Sequence, residues 1–123
     1  GSICWFESGH SDSMSFYNPK KWNYINVQGL GFLKGIHCPH YNSETLGVPR
    51  KKHFERMMKQ VGGFGLAVDN HCAIEFLDES YRVITSKNQA KAFRVFKKDS
   101  QLITERILKK NKLTPIETLF KKY

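Results

Sequence analysis

Residues 49–68 read PRKKHFERMMKQVGGFGLAV, and this stretch decides the fold class. Phe54, Met57, Met58 and Val61 fall at i, i+3, i+4 and i+7, so a helix here would bury them as one stripe. Arg50, Lys51, Lys52, Arg56 and Lys59 fall mostly on the other faces. Pro49 suits a first helical turn, where its missing N–H is not needed and its fixed φ is an advantage. Gly62-Gly63 suits the end. The pattern then changes. Phe64-Gly65-Leu66-Ala67-Val68 is a short continuous apolar run, as in a strand covered on both faces. A helix feeding such a strand implies an α/β core.

Working outward toward the C-terminus, Cys72 to Phe76, Tyr81 to Thr85 and Ala92 to Phe96 read as short strands. Ser86-Lys87-Asn88-Gln89 is a turn between two of them. Residues 102–108 fit strand better than helix. Thr114-Pro115-Ile116-Glu117 predicts a helix start, with Thr114 as cap, Pro115 first and Glu117 three after the cap. Leu119 and Phe120 would dock it. These shorter strands imply an antiparallel extension of the core. Toward the N-terminus, residues 3–8 are apolar and read as the start of a helix. Gly9 to Asn23 reads as a polar loop, and Tyr24 to Val27 as a short strand. Residues 29–37 (GLGFLKGIH) are apolar but glycine-rich, which marks a bend or a close backbone approach near a functional edge.

The chain has 123 residues, one domain or part of one, with no repeat or internal linker. Its 40% hydrophobic and 13% aromatic content supports a real core and excludes bulk disorder. No apolar run approaches the ~20 residues of a membrane span. No charged-then-apolar leader opens the sequence, so a cytoplasmic setting is expected. The three cysteines, Cys4, Cys38 and Cys72, are an odd number, which argues against a disulfide framework. The net charge of +9 would attract polyanions. The cations are dispersed, however, in the pattern of a solvated surface, and no nucleic-acid motif accompanies them.

Two short segments carry chemistry. In Cys38-Pro39-His40-Tyr41, His40 ends an apolar segment on a turn stiffened by proline. A histidine with a pKa near ~6.5 can take and return a proton at neutral pH. About thirty residues later, Asp69 ends the buried run and stands before Asn70. A carboxylate at the tip of a buried strand needs a partner. It either caps the next turn, which Asn70 favours, or accepts the other ring N–H of His40. Asp12, in Gly9-His10-Ser11-Asp12-Ser13, is a second acid, in a loop that could equally be plain surface. His10, Asp12, His37, Cys38, His40, His71 and Cys72 include zinc-ligand types, but without H-E-x-x-H or C-x-x-C spacing. No metal site is expected. Gly1-Ser2-Ile3-Cys4 is not a nucleophile elbow.

In order, Ile3-Cys4-Trp5-Phe6, Gly9-His10-Ser11-Asp12-Ser13, Gly29-Leu30-Gly31, Cys38-Pro39-His40-Tyr41 and Gly65-Leu66-Ala67-Val68-Asp69-Asn70 resemble the peptidase E (aspartyl dipeptidase) family of serine peptidases, whose wider relatives include cyanophycinase. The resemblance runs from Gly1 to at least Phe76, and more loosely to the end. It implies the C-terminal portion of a three-layer α/β sandwich with a flavodoxin-like sheet, of the class I glutamine amidotransferase-like kind. In that family the nucleophilic serine sits in a Gly-x-Ser-Ala-Gly elbow just before the segment matching Ile3-Cys4-Trp5. Gly1 would be the elbow's last glycine, with the serine two residues upstream and the N-terminal half of the domain before it.

Carried over by position, His40 matches the catalytic histidine. Asp69 matches the third member of the triad, a glutamate in peptidase E itself, and Asp12 matches an acidic position after the elbow. Arg50 lies near where the family grips an acidic substrate side chain, and Asn42, in the histidine loop, is a further substrate-binding candidate. The implied reaction is acyl transfer on a short peptide, with an Asp-X dipeptide as the family's substrate, and it needs no cofactor. Two other readings stay open: an incomplete fragment that acts by association, dimerising or swapping to cover an open strand edge, and a basic nucleic-acid-binding module.

Overall fold

The run at 64–68 is a central strand of a six-stranded mixed sheet in the computed structural model, which describes residues 1–122. The strands are β1 (Phe6–Ser11), β2 (Ile25–Gln28), β3 (Leu33–Cys38), β4 (Glu44–Thr45), β5 (Val48–Pro49), β6 (Phe64–Val68), β7 (Cys72–Leu77), β8 (Ser80–Thr85), β9 (Ala92–Lys98), β10 (Gln101–Ile107) and β11 (Thr114–Pro115). The helices are α1 (Met14–Tyr17) and α2 (Arg50–Val61), with 3-10 turns at Ser2–Trp5 and Ile116–Phe120. The large sheet runs β10-β9-β6-β3-β1-β2, and β7, β8 and β11 form a second, antiparallel sheet. Strands β6, β3 and β1 are parallel, while β9, β10 and β2 are antiparallel to their neighbours.

A parallel neighbour cannot be reached by a tight turn, so the chain crosses over through α2 between β3 and β6. That helix buries Phe54, Met57 and Met58 against Cys38, Tyr41, Ala67 and Val95 on one face of the large sheet. On the other face Phe6, Leu66, Val68 and Ala92 meet Tyr81 and Val83 of the small sheet, together with Leu119 of the last 3-10 turn. The molecule is therefore three layers: helix, mixed sheet, antiparallel sheet. Strand β6 is covered on both sides, as its unbroken apolar run requires. Gly65 leaves room for the helix, since a Cβ there would stand 2.7 Å from the Phe54 ring and 3.1 Å from Met58 Sδ.

Between β1 and β3 the register slips: Phe6 pairs with Leu33, but Ser8 pairs with Ile36. The extra residue in β3 is taken up around Gly35, at φ +99, whose N–H donates to Glu7 Oε2 at 2.9 Å. This bulge lets β1 serve both layers. Phe6 stacks on His37 and meets Phe76 of the small sheet, whereas His10 packs against Phe54 of α2. The bend expected of the glycine-rich stretch is thus present.

Several local expectations are corrected. Residues 3–8 form a 3-10 turn and then a strand, not a helix, because the segment pairs with both β2 and β3. The stretch from Gly9 to Asn23 is not all loop: β1 continues to Ser11 and α1 follows. Val61 is exposed, since the helix ends there and Gly62 turns the chain away before the stripe can continue. Arg50 is buried instead of solvated. Thr114 pairs with Tyr81 in β11 and does not cap; Pro115 holds the cap position of a 3-10 turn. The strand reading of 102–108 holds as β10, and residues 86–89 form the turn after β8.

Candidate active site

The carboxyl ends of parallel strands are where open α/β sheets hold ligands. Here β3 ends at Cys38 and β6 at Val68, and the loops after them carry His40 and Asn70. Two hydrogen bonds join those loops: Tyr41 N–H donates to Val68 O at 2.9 Å, and Asn70 N–H donates to Asn42 Oδ1 at 2.8 Å. Asn42 is thereby committed to holding the Asn70 backbone. His40 sits at φ +50, a conformation that costs a non-glycine residue energy and persists only where its surroundings enforce it. Its imidazole is exposed, and its Nδ1 makes a short hydrogen bond with Asn70 Oδ1. An amide oxygen can only accept, so Nδ1 is the donor of this pair and Nε2 is left facing outward from it.

Asp69 is turned elsewhere. Its Oδ2 accepts the Lys91 N–H at 3.0 Å and its own N–H donates to Lys91 O at 2.9 Å, which ties β6 to the approach of β9. Burial pushes its carboxyl above the usual range, opposed by the Lys91 N–H and the Lys91 and Lys51 charges. Asp12 and Arg50 meet each other. Arg50 Nη2 stands 2.8 Å from Asp12 Oδ2, which also accepts the Thr45 hydroxyl at 2.6 Å. Burial raises the Asp12 carboxyl, but Thr45 and then Arg50 outweigh it and the net shift is downward. The guanidinium also lies over the Tyr24 ring, 5.2 Å from its centroid.

A cavity of about 600 Å³ opens beside His40. Asp69 and Asn70 line it, whereas Asp12, Asn42 and Arg50 do not. Its floor and rim are apolar, from Phe6, Leu33, Val68, Ile74 and Phe76 to Trp5 and Phe32.

His37, which the sequence did not single out as a base, also reaches this cavity. Its Nδ1 donates to Leu66 O at 3.0 Å, leaving Nε2 to accept the Ser2 hydroxyl at 3.0 Å. That is a serine–histidine contact of the right length, but burial pulls the imidazole down to about 4. A general base works best with a pKa near the operating pH. His37 is thus a poor base at neutrality. Cys38 is no rival nucleophile: burial pushes its thiol up to about 12, far from the thiolate that reactivity needs. Among the described residues no group of three or more His, Cys, Asp or Glu side chains could hold a metal.

The model for peptidase family S51 matches residues 1–84, more than half of the chain. The chain belongs to peptidase family S51, the peptidase E family. As a member of that family it shares 31% identity over 103 residues with an uncharacterized peptidase, YgaJ, of Bacillus subtilis (strain 168); the match covers 83% of this chain and 41% of that protein. A G2/mitotic-specific cyclin-1 of Trypanosoma brucei brucei is 29% identical over 118 residues, covering 72% of this chain and 34% of that one. The S51 chain therefore spans well under half the length of the curated relatives it matches. No solved structure gave a significant match. The matched span contains His40, Asp69 and Asn70 and stops within β8.

Proposed function

We propose that this chain is the histidine-bearing part of a serine peptidase acting on short peptides, with the nucleophilic serine just upstream of Gly1. The observation that carries the reading is the His40–Asn70 pair at the carboxyl ends of β3 and β6, opening onto the cavity in a chain of the S51 family. In this mechanism the serine attacks the peptide carbonyl. His40 Nε2 takes its proton and later returns it to the leaving amine. Asn70 fixes the tautomer that leaves Nε2 free. Asp69 acts one step back, by holding the Asn70 turn. The parallel β1-β3-β6 core under one helical layer supports a flavodoxin-like sheet for the whole domain.

The test is a fluorophosphonate probe and a dipeptide hydrolysis assay on the full-length protein. The expected result is one labelled serine and a loss of about 10³-fold or more in kcat for His40→Ala, with the fold intact by circular dichroism. Full activity in that variant would remove His40 from the mechanism, and absence of serine labelling in an active enzyme would remove the serine.

A further inference from the structure

Asn42 stands in the loop after β3, two residues beyond His40, yet it does not line the cavity beside that histidine. Its side-chain oxygen is spent on the neighbouring loop, where it accepts the Asn70 N–H at 2.8 Å. A residue that grips substrate has to reach the cavity with a free group. The geometry of Asn42 suits a different task.

The bond from Asn70 to Asn42 closes a ring. The ring runs from the Asn42 oxygen to the Asn70 backbone, out along the Asn70 side chain to His40 Nδ1, and back through His40-Tyr41-Asn42. The return path is itself fixed. Ser43 N–H donates to His40 O at 2.9 Å, closing a turn over residues 40–43, and Tyr41 N–H pins that turn to Val68 O. On the far side, Lys91 holds Asp69 through two hydrogen bonds, and Asn42 holds Asn70. The ring also has strain to contain. His40 lies at φ +50 and His71, next to Asn70, at φ +65. Left-handed backbone at non-glycine residues persists only where the surroundings enforce it. Every member of the ring belongs to this chain, so the arrangement does not depend on what covers its surface.

We infer that Asn42 is a positioning residue: its side-chain oxygen sets the Asn70 backbone and, through the Asn70 side chain, the direction of the His40 imidazole. The effect on turnover rests on the reading of His40 as a peptidase base, but the coupling itself can be read without hydrolysis. The test compares two variants of the full-length protein. Asn42→Ala removes the acceptor. Asn42→Asp keeps an acceptor and loses the amide donor that a substrate-gripping asparagine would use. Asn42 is exposed, so the circular dichroism spectrum should survive both changes. Amide hydrogen exchange follows the Asn70 N–H, and a long-range proton–nitrogen correlation spectrum shows which ring nitrogen of His40 carries the proton. In Asn42→Ala, exchange at Asn70 should rise roughly 3–10-fold, and the His40 proton should redistribute between the two nitrogens. The kcat for a short peptide, taken on the plateau of the pH profile, should fall by roughly 3–10-fold with KM unchanged. Asn42→Asp should hold all three within about twofold of the parent. Parental exchange and proton placement in Asn42→Ala would overturn the inference. So would equal losses in both variants, or a raised KM at constant kcat, which marks lost substrate binding. Faster exchange and a displaced proton in a full-length protein that hydrolyses no peptide would leave Asn42 in this role and sink the peptidase reading.

Discussion

His40 and Asn70 make the sharpest test at the scale of single residues. If the amide oxygen of Asn70 holds the Nδ1 proton of His40, removing it should cost turnover more than binding. Asn70→Ala is expected to lower kcat by roughly 10–100-fold with little change in KM, measured by steady-state kinetics on the full-length protein. Asn70→Asp would place a carboxylate against the imidazole and favour its charged form. The acidic limb of the kcat/KM profile should then move to higher pH. A profile that stays in place would show that Asn70 does not govern His40. The sequence made His40 legible, because proline before and polar residues after an apolar segment put it at a strand end. It did not reveal which side chain at the end of β6 turns toward it. Asp69 and Asn70 are adjacent, and the choice depends on Lys91, whose backbone claims the aspartate from more than twenty positions away. His37 was hidden for a related reason: its neighbours, Leu66 O and Ser2, come from two other segments.

At the scale of elements, α2 and β6 were readable from periodicity and from an unbroken apolar run. Both are set by burial that repeats along the chain. Residues 3–8 were not, since a strand whose register slips at a bulge shows no clean alternation. The start of α2 also misled, because Arg50 follows the partner waiting for it at Asp12 and not its own position on the helix. The close seat of α2 over β6 can be probed directly. Gly65→Ala should destabilise the chain by about 1–3 kcal/mol, as overpacking against Phe54 and Met58. Phe54→Leu, which shortens the side chain at the clash, should recover part of that loss in the double variant. Chemical denaturation of the four members of the cycle measures the coupling. Strict additivity would mean that helix and strand do not meet as closely as the structure has them.

For the whole molecule, two buried histidines set a pH dependence. Burial, aided by the neighbouring His53 and Arg50 charges, pulls His10 down to about 3, and burial pulls His37 down to about 4. Both return to about 6.5 on unfolding. The unfolded chain therefore binds more protons than the folded one between those limits, and stability falls as pH drops below 6.5. Each histidine contributes a slope approaching ~1.4 kcal/mol per pH unit, so denaturant midpoints should decline steeply between pH 6.5 and 4.5. His37→Gln should flatten that decline. An unchanged slope would mean that His37 is not held neutral in the folded state. At this scale the layers were legible and their pairing was not: the strands after β6 divide between two sheets, β9 and β10 beside β6 and β7, β8 and β11 across from it. That division is decided by which faces meet and not by any local signal. The stitching of the loops after β3 and β6 has one further consequence. His40 and Asn42 follow β3, and Asp69 and Asn70 follow β6, so one β3-α2-β6 crossover together with the Lys91 backbone sets their geometry. Moving that crossover into another sheet would therefore have to bring the Lys91 segment with it to keep Asn70 facing His40.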